Sequence, residues 1–205
     1  MGQSGIIQRA WRVAEAFLKE GTHGMGHVRR VYRLATEICQ REGGNLFAVQ
    51  VAAILHDIAR PIEDITGWDH AEVSAEIAKR LLRLWGVSED IMATVYDAIY
   101  SHRFSKGRIP RTLEGKILSD ADKLDALGAI GIARVFKHNP NRPIEEDIQH
   151  FHEKILKLPS LMHTPTAKQL ASQRVKIIQD FLRQLEEEMG QTQPIPSHPN
   201  PLKSD

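Results

Sequence analysis

A chain of 205 residues, 41% apolar and 26% charged, is long enough for one domain with a sizeable buried core, and its formal net charge of +1 excludes a polycation built for nonspecific nucleic-acid binding. Its one cysteine, Cys39, excludes an intrachain disulfide, favours a reducing compartment and reads as a small apolar residue on a helix. Residues 1–20 carry interspersed charges rather than the apolar stretch of a signal peptide, and no run approaches the ~18 apolar residues of a membrane span, so the expectation is a cytoplasmic protein with no membrane partner.

In chain order the periodicity is helical. Ile6, Ala10, Val13, Ala14 and Phe17 recur at spacings of three and four, which predicts a helix over 6–19. Gly21, Gly24 and Gly26 break it. A second helix is expected over 27–41, with Val31, Leu34 and Ile38 on one face, and Gly43-Gly44 stops it. The third, over 46–59, is apolar all round apart from Gln50, the mark of a central buried helix, and Pro61 is expected to end it. Asp69 can cap a helix running to Trp85, with Glu72 completing a capping-box-like pair. Gly86 closes that helix and Ser88 can cap the next, over 89–102. Residues 103–112 read as a loop, 113–136 as one helix, 139–143 as a break, 144–158 as a short helix and 166–189 as a long amphipathic one. No stretch reads as a strand. The expectation is an all-α chain with one helical domain over 1–190. Residues 191–205, with four prolines and little apolar material, read as a disordered tail.

The chemistry concentrates at the end of the third helix. His56 and Asp57 follow an almost wholly apolar stretch, and burying an imidazole beside a carboxylate is costly unless something pairs with them. A hydrogen-bonded core pair would do so, and so would a metal ion. His27 opens the second helix at the edge of its apolar face. Asp122 lies one helical turn from both Leu118 and Ala126, again on an apolar face. Two imidazoles and two carboxylates from three helices make a mixed N/O site suited to Mn²⁺, Fe²⁺, Co²⁺, Ni²⁺ or Zn²⁺, with Mg²⁺ also open.

The order His27…His56-Asp57…Asp122 resembles the H…HD…D signature of HD-superfamily metal-dependent phosphohydrolases, most closely the small stand-alone HD-domain hydrolases. The surroundings match too: His27-Val28-Arg29-Arg30-Val31, Ala52-Ala53-Ile54-Leu55-His56-Asp57-Ile58 and Asp120-Ala121-Asp122-Lys123-Leu124-Asp125. The resemblance carries motifs over 21–136. It implies a single HD-domain helical bundle in which His27, His56, Asp57 and Asp122 bind a divalent metal. It also implies hydrolysis of a phosphoester or phosphoanhydride bond in a small phosphorylated substrate, such as a nucleotide. Close relatives often carry an acid directly after the histidine that aligns with His23; here Gly24 stands there, so His23 reads as a helix-entry residue.

Beside the ligand role of Asp57, which also orients the attacking water, His23, His70 and His102 are candidates to donate a proton to the leaving oxygen or to contact phosphate. His70 and His102 remain open to a second metal or to plain hydrogen bonding. Arg103, Lys106, Arg108 and Arg111 form a stretch with no acid; Arg103 and Arg108, with Lys123, are candidate phosphate contacts, a solvated basic loop being the alternative. His138, His150, His152, His163 and His198 have no supporting pattern and read as surface residues. The rival readings are a noncatalytic metal-containing helical module that binds a nucleotide or partner, and a nucleic-acid phosphodiesterase, which the near-neutral charge disfavours. Oligomeric state is not legible.

Overall fold

A computed structural model describes residues 2–18, 21, 24–103, 106–138 and 140–190, and all regular structure among the described residues is helical. The centre is α3, Leu46–Leu55, in which Phe47, Ala48, Val49, Val51, Ala52, Ala53, Ile54 and Leu55 are all buried. A helix apolar on every side loses its solvent-exposed surface only by being surrounded. The surround consists of α1 (Gln3–Phe17), α2 (Met25–Glu42), α5 (His70–Leu84), α6 (Glu89–Ser101) and α7 (Leu113–Asp125), each packed on α3. Outside this core lie α8 (Gly128–His138), α9 (Ile144–Glu153), a 3₁₀ segment (Ile155–Leu161) and α10 (Pro165–Glu188), which returns to pack on α7, α8 and α2. None of these helices is long and apolar enough to cross a membrane.

Side-chain caps fix several starts. Asn45 accepts from the amide of Ala48, Asp69 from Ala71, Thr112 from Gly115 and Thr164 from Ala167, each cap contributing roughly 1 kcal/mol. Ser88 makes no such bond, and Glu72 faces Arg108 at 3.4 Å.

Three expected helices are divided. The one expected over 46–59 ends at Leu55, because the chain turns at 56–59 before a short α4, Arg60–Thr66, begins. Pro61 therefore sits in the first turn of a new helix, where its missing amide costs nothing, rather than terminating the old one. The helix expected over 113–136 breaks between α7 and α8. Gly128 turns the chain at φ 71°, and Gly131 lies so close to the carbonyl of Ala126 that an added Cβ would sit 2.2 Å from its oxygen. The helix expected over 144–158 becomes α9 followed by the 3₁₀ segment, where Pro159 lacks the amide an α-helix would need. Cys39 is buried on α2 as expected. The tail, 191–205, and His23 lie outside the described residues.

Candidate metal centre and its cleft

His27, His56 and Asp57 come together from α2 and the end of α3, and Asp122 of α7 joins them through His27. His27 Nε2 lies 3.2 Å from His56 Nε2, 3.3 Å from Asp122 Oδ1 and 3.6 Å from Asp57 Oδ2, and His56 Nε2 is 3.6 Å from the same Asp57 oxygen. Both histidines and Asp57 are buried, whereas the Asp122 side chain is 25% exposed and opens the group to solvent. Donor atoms bound to one ion at ~2.1 Å lie roughly 3.0–3.4 Å apart. The spacings cluster near that range, and His27, His56 and Asp57 form a group able to hold a metal ion.

A second group shares Asp57. His70 Nε2 lies 3.2 Å and His102 Nε2 3.7 Å from Asp57 Oδ1, and these three residues also form a group able to hold an ion. The contact from His70 Nε2 is close but not aligned as a hydrogen bond. Arg60 Nε approaches the same oxygen at 3.2 Å. Asp57 is thus a hub between two histidine pairs.

The orientation of the four imidazoles decides what they offer. His56 Nδ1 donates to the carbonyl of Ala53 at 2.8 Å, and His102 Nδ1 to the carbonyl of Ile99 at 2.6 Å. His27 Nδ1 donates to Asp125 Oδ2 at 2.7 Å, and His70 Nδ1 to Glu63 Oε2 at 2.7 Å. In all four rings Nδ1 is committed to an oxygen, so Nε2 is the atom turned toward Asp57. An imidazole fixed through one nitrogen and presenting the other is the usual state of a metal ligand.

The charges are coupled. Burial opposes a proton on His27, but its bonds to Asp122 and Asp125 outweigh that and raise its pKa to about 9. Burial, with His102 and His27 close by, lowers His56 to about 4. Burial would raise Asp122, yet His27 holds it well below the usual carboxylate range. For the pair His27 and Asp122 the favoured state is imidazolium beside carboxylate.

Above this group opens a cleft of about 340 Å³. Arg60, His102, Arg103, Asp122, Lys123 and Arg134 line its inner part; His138, Arg142, His150 and Lys154 line the wall supplied by α8 and α9. Among the described residues Asp122 is the one acid on the lining. Lys123 is buried, donates to the carbonyl and hydroxyl of Ser119, and has its pKa lowered by burial. Arg103 reaches the cleft while bound to Glu63 and Asp69. Arg108 does not reach it: its guanidinium stacks on Tyr100 at 3.9 Å and pairs with Asp69 at 3.1 Å. The expected phosphate role of Arg108 is therefore not supported by its position, because ring and carboxylate hold it on the flank of α5 and α6. The reading of His150 as a surface residue is also corrected. It is half-buried on the cleft wall, and burial together with Lys154 and Arg142 lowers its pKa. His138 and His152 are exposed.

Sequence reading missed Arg60, Glu63, Asp125 and Arg134. Asp125 closes the Asp120–Asp125 motif and Glu63 follows Arg60 by one helical turn, so both had a local signal.

The HD domain model matches residues 24–127, about half the chain, and spans all four convergent residues. The chain belongs to the HD-domain family. This HD-domain protein is 33% identical to Bacillus subtilis YpgQ over 191 residues, covering 88% of this chain and 91% of YpgQ. The structure of YpgQ in complex with ADP superposes with a TM-score of 0.75, at 30% identity over 96% of this chain and 98% of that one. A predicted HD-superfamily hydrolase from an uncultured Thermotogales bacterium gives 0.71 at 35% identity, covering 93% of this chain and all of the other. Lin1889 from Listeria innocua gives 0.76 at 30% identity, with coverage of 94% and 100%.

Proposed function

We propose that this HD-domain protein is a cytoplasmic, metal-dependent phosphohydrolase that cleaves a phosphoester or phosphoanhydride bond of a nucleotide or another small phosphorylated metabolite. The observation that carries the reading is the set of four imidazoles, each fixed through Nδ1 and aimed through Nε2 at one buried carboxylate, at the foot of a cleft lined with arginine and lysine. The fold and relatedness to HD-superfamily hydrolases support the chemistry, and the ADP complex of YpgQ supports a nucleotide as ligand.

His27, His56, Asp57 and Asp122 would hold the ion; neutral imidazole and carboxylate together fit Mn²⁺, Fe²⁺, Co²⁺, Ni²⁺ or Zn²⁺, and Mg²⁺ less closely. When bound, a divalent ion lowers the pKa of water and polarises a phosphoryl oxygen. Asp57, facing both histidine pairs, orients the attacking water. His70 and His102 both face Asp57 Oδ1, and His102 lines the cleft, where it can hand a proton to the leaving oxygen or bind phosphate. Arg60, Arg103, Lys123 and Arg134 neutralise the phosphate charge as it shifts toward the leaving group.

The test is metal analysis of the purified protein, then release of phosphate or pyrophosphate from a nucleotide panel with and without chelator. Hydrolysis that stops on chelation and returns with one divalent ion supports the reading. A metal-loaded protein that binds nucleotides and turns over none of them would identify a noncatalytic binding module instead.

A further inference from the structure

One buried carboxylate, that of Asp125, accepts four hydrogen bonds, three of them on one oxygen. Its Oδ2 accepts from His27 Nδ1 at 2.7 Å, Arg134 Nη1 at 2.6 Å and Arg30 Nη2 at 2.9 Å, and its Oδ1 accepts from Arg30 Nε at 2.6 Å. A carboxylate offers about four such positions. Its side chain is 2% exposed. A charge so buried needs a partner, and one arginine would neutralise it. Two arginines and an imidazole exceed what charge balance requires, so the arrangement serves orientation as well as neutrality.

The orientation in question is that of His27. His27 stands near the start of α2 and Asp125 at the end of α7, and their bond joins the two helices beside the point where His27 meets Asp122. An imidazole can turn about its Cβ–Cγ bond, and few settings aim Nε2 at His56, Asp57 and Asp122 together. The bond from Nδ1 to Asp125 selects such a setting and leaves Nε2 as the donor atom. Asp125 is in turn braced from two sides. Arg30 belongs to α2 and does not line the cleft. Arg134 belongs to α8 and does. The contacts of Arg134 with Asp125 and its 3.3 Å approach to His27 Nδ1 all run through Nη1, one of the guanidinium's nitrogens.

We propose that Asp125 is the positioning residue for His27, and that Arg134 ties this lock to the anion held in the cleft. The inference rests on reading His27 as a metal ligand. Arg134 would then serve two partners, the carboxylate behind the metal site and the phosphate in front of it, whereas Arg30 serves only the carboxylate.

The test uses the full chain treated with chelator. Mn²⁺ affinity is measured by competition with a fluorescent chelator, pyrophosphate affinity by calorimetry on the metal-free protein, and the melting temperature alongside. Asp125→Asn keeps the size but turns an amide N–H toward an arginine; Mn²⁺ affinity should fall about 10–100-fold, with helical circular dichroism retained. Should that variant melt near the assay temperature, Arg30→Gln and Arg134→Gln carry the test, since each removes one brace and leaves the His27–Asp125 pair. Both should weaken Mn²⁺ binding several-fold, and only Arg134→Gln should also weaken pyrophosphate binding. Folded Asp125→Asn with wild-type Mn²⁺ affinity overturns the positioning role, as do two arginine variants that bind Mn²⁺ normally. Arg134→Gln with wild-type affinity for either probe overturns the tie to the cleft. A wild-type chain that binds no divalent ion overturns the metal reading itself, and this assignment with it.

Discussion

The inner and outer ends of the cleft are built by opposite means. At the inner end His27, His56, His70 and His102 are each held through Nδ1 by an oxygen within 2.8 Å, and all four are buried. At the outer end Arg142 meets Asp147 at 3.4 Å and Glu146 at 3.8 Å, Lys154 is exposed, and His150 is half-buried among cations. Rigid rings with fixed donor atoms suit an ion, whose bond lengths allow little error. Long, loosely paired side chains suit a flexible anion, for which charge matters more than angle. Under the proposed function, the difference divides chemistry at one end from ligand capture at the other.

The comparison breaks most sharply at Asp57. Asp57→Ala should lose metal affinity by more than the ~10–100-fold that an outer partner of a ligand costs, with turnover lost in parallel and the helical circular dichroism kept. Metal content measured after gel filtration checks it, and normal turnover in this variant would remove the proposed chemistry. The same end should also respond to pH. His27, with a pKa raised to about 9, carries a proton below that pH in chelator-treated protein, and an entering ion must displace it. Metal affinity should therefore climb as pH rises toward 9, by up to about tenfold per unit, and level off above it. His56, at about 4, is already neutral throughout that range and adds no slope. A flat profile would mean that His27 is not a ligand or holds no proton for the ion to displace.

The outer end should fail differently. Arg142→Ala and Lys154→Ala should raise KM for a nucleotide by up to about tenfold each, the scale of one charge-assisted hydrogen bond. Metal content should stay at the wild-type level, and a matching loss of metal would show that the two ends are not separable. The smallest effects belong to the loop after His102. Arg103→Ala should raise KM and lower kcat modestly, since Arg103 lines the cleft but is shared with Glu63 and Asp69. Arg108→Ala should leave KM unchanged and cost about 1 kcal/mol of stability through its lost stacking on Tyr100, read from a thermal melt. A KM change at Arg108 larger than at Arg103 would place the substrate on the opposite flank.

The inner end was legible in the sequence because its residues break a pattern. His56 and Asp57 interrupt an apolar run, and His27 and Asp122 stand on apolar faces, so each demands a partner by its place in the sequence alone. The outer wall breaks no pattern. Arg134 and His150 lie on ordinary amphipathic helices and Lys154 just after one, and a polar face that borders a cleft is written like one that borders bulk water. What turns them inward is the chain reversal at Gly128 and after α8, a tertiary event. Asp125 was visible as a motif residue, but its role depends on α2 meeting α7. The helix boundaries failed for a similar reason: Pro61 and the Gly128–Gly131 pair each mark an end or a beginning, and only packing decides which.

Two of the histidines also finish helices. His56 stands at the C-terminal cap of α3 and His102 at that of α6, and each donates Nδ1–H to the carbonyl three residues back. The last carbonyls of a helix lack amide partners and carry its partial negative charge. One proton thus closes the helix, sets the tautomer and makes the ring a better electron donor at its far nitrogen. The consequence is a portable unit of construction. A histidine placed as the final residue of a buried helix needs no separate carboxylate to orient it, so a designer seeking a metal site in another helical scaffold can begin from where the helices stop rather than from their faces. The same economy makes the unit intolerant of insertion, because adding one residue before His56 would uncap α3 and misdirect the ring in a single step.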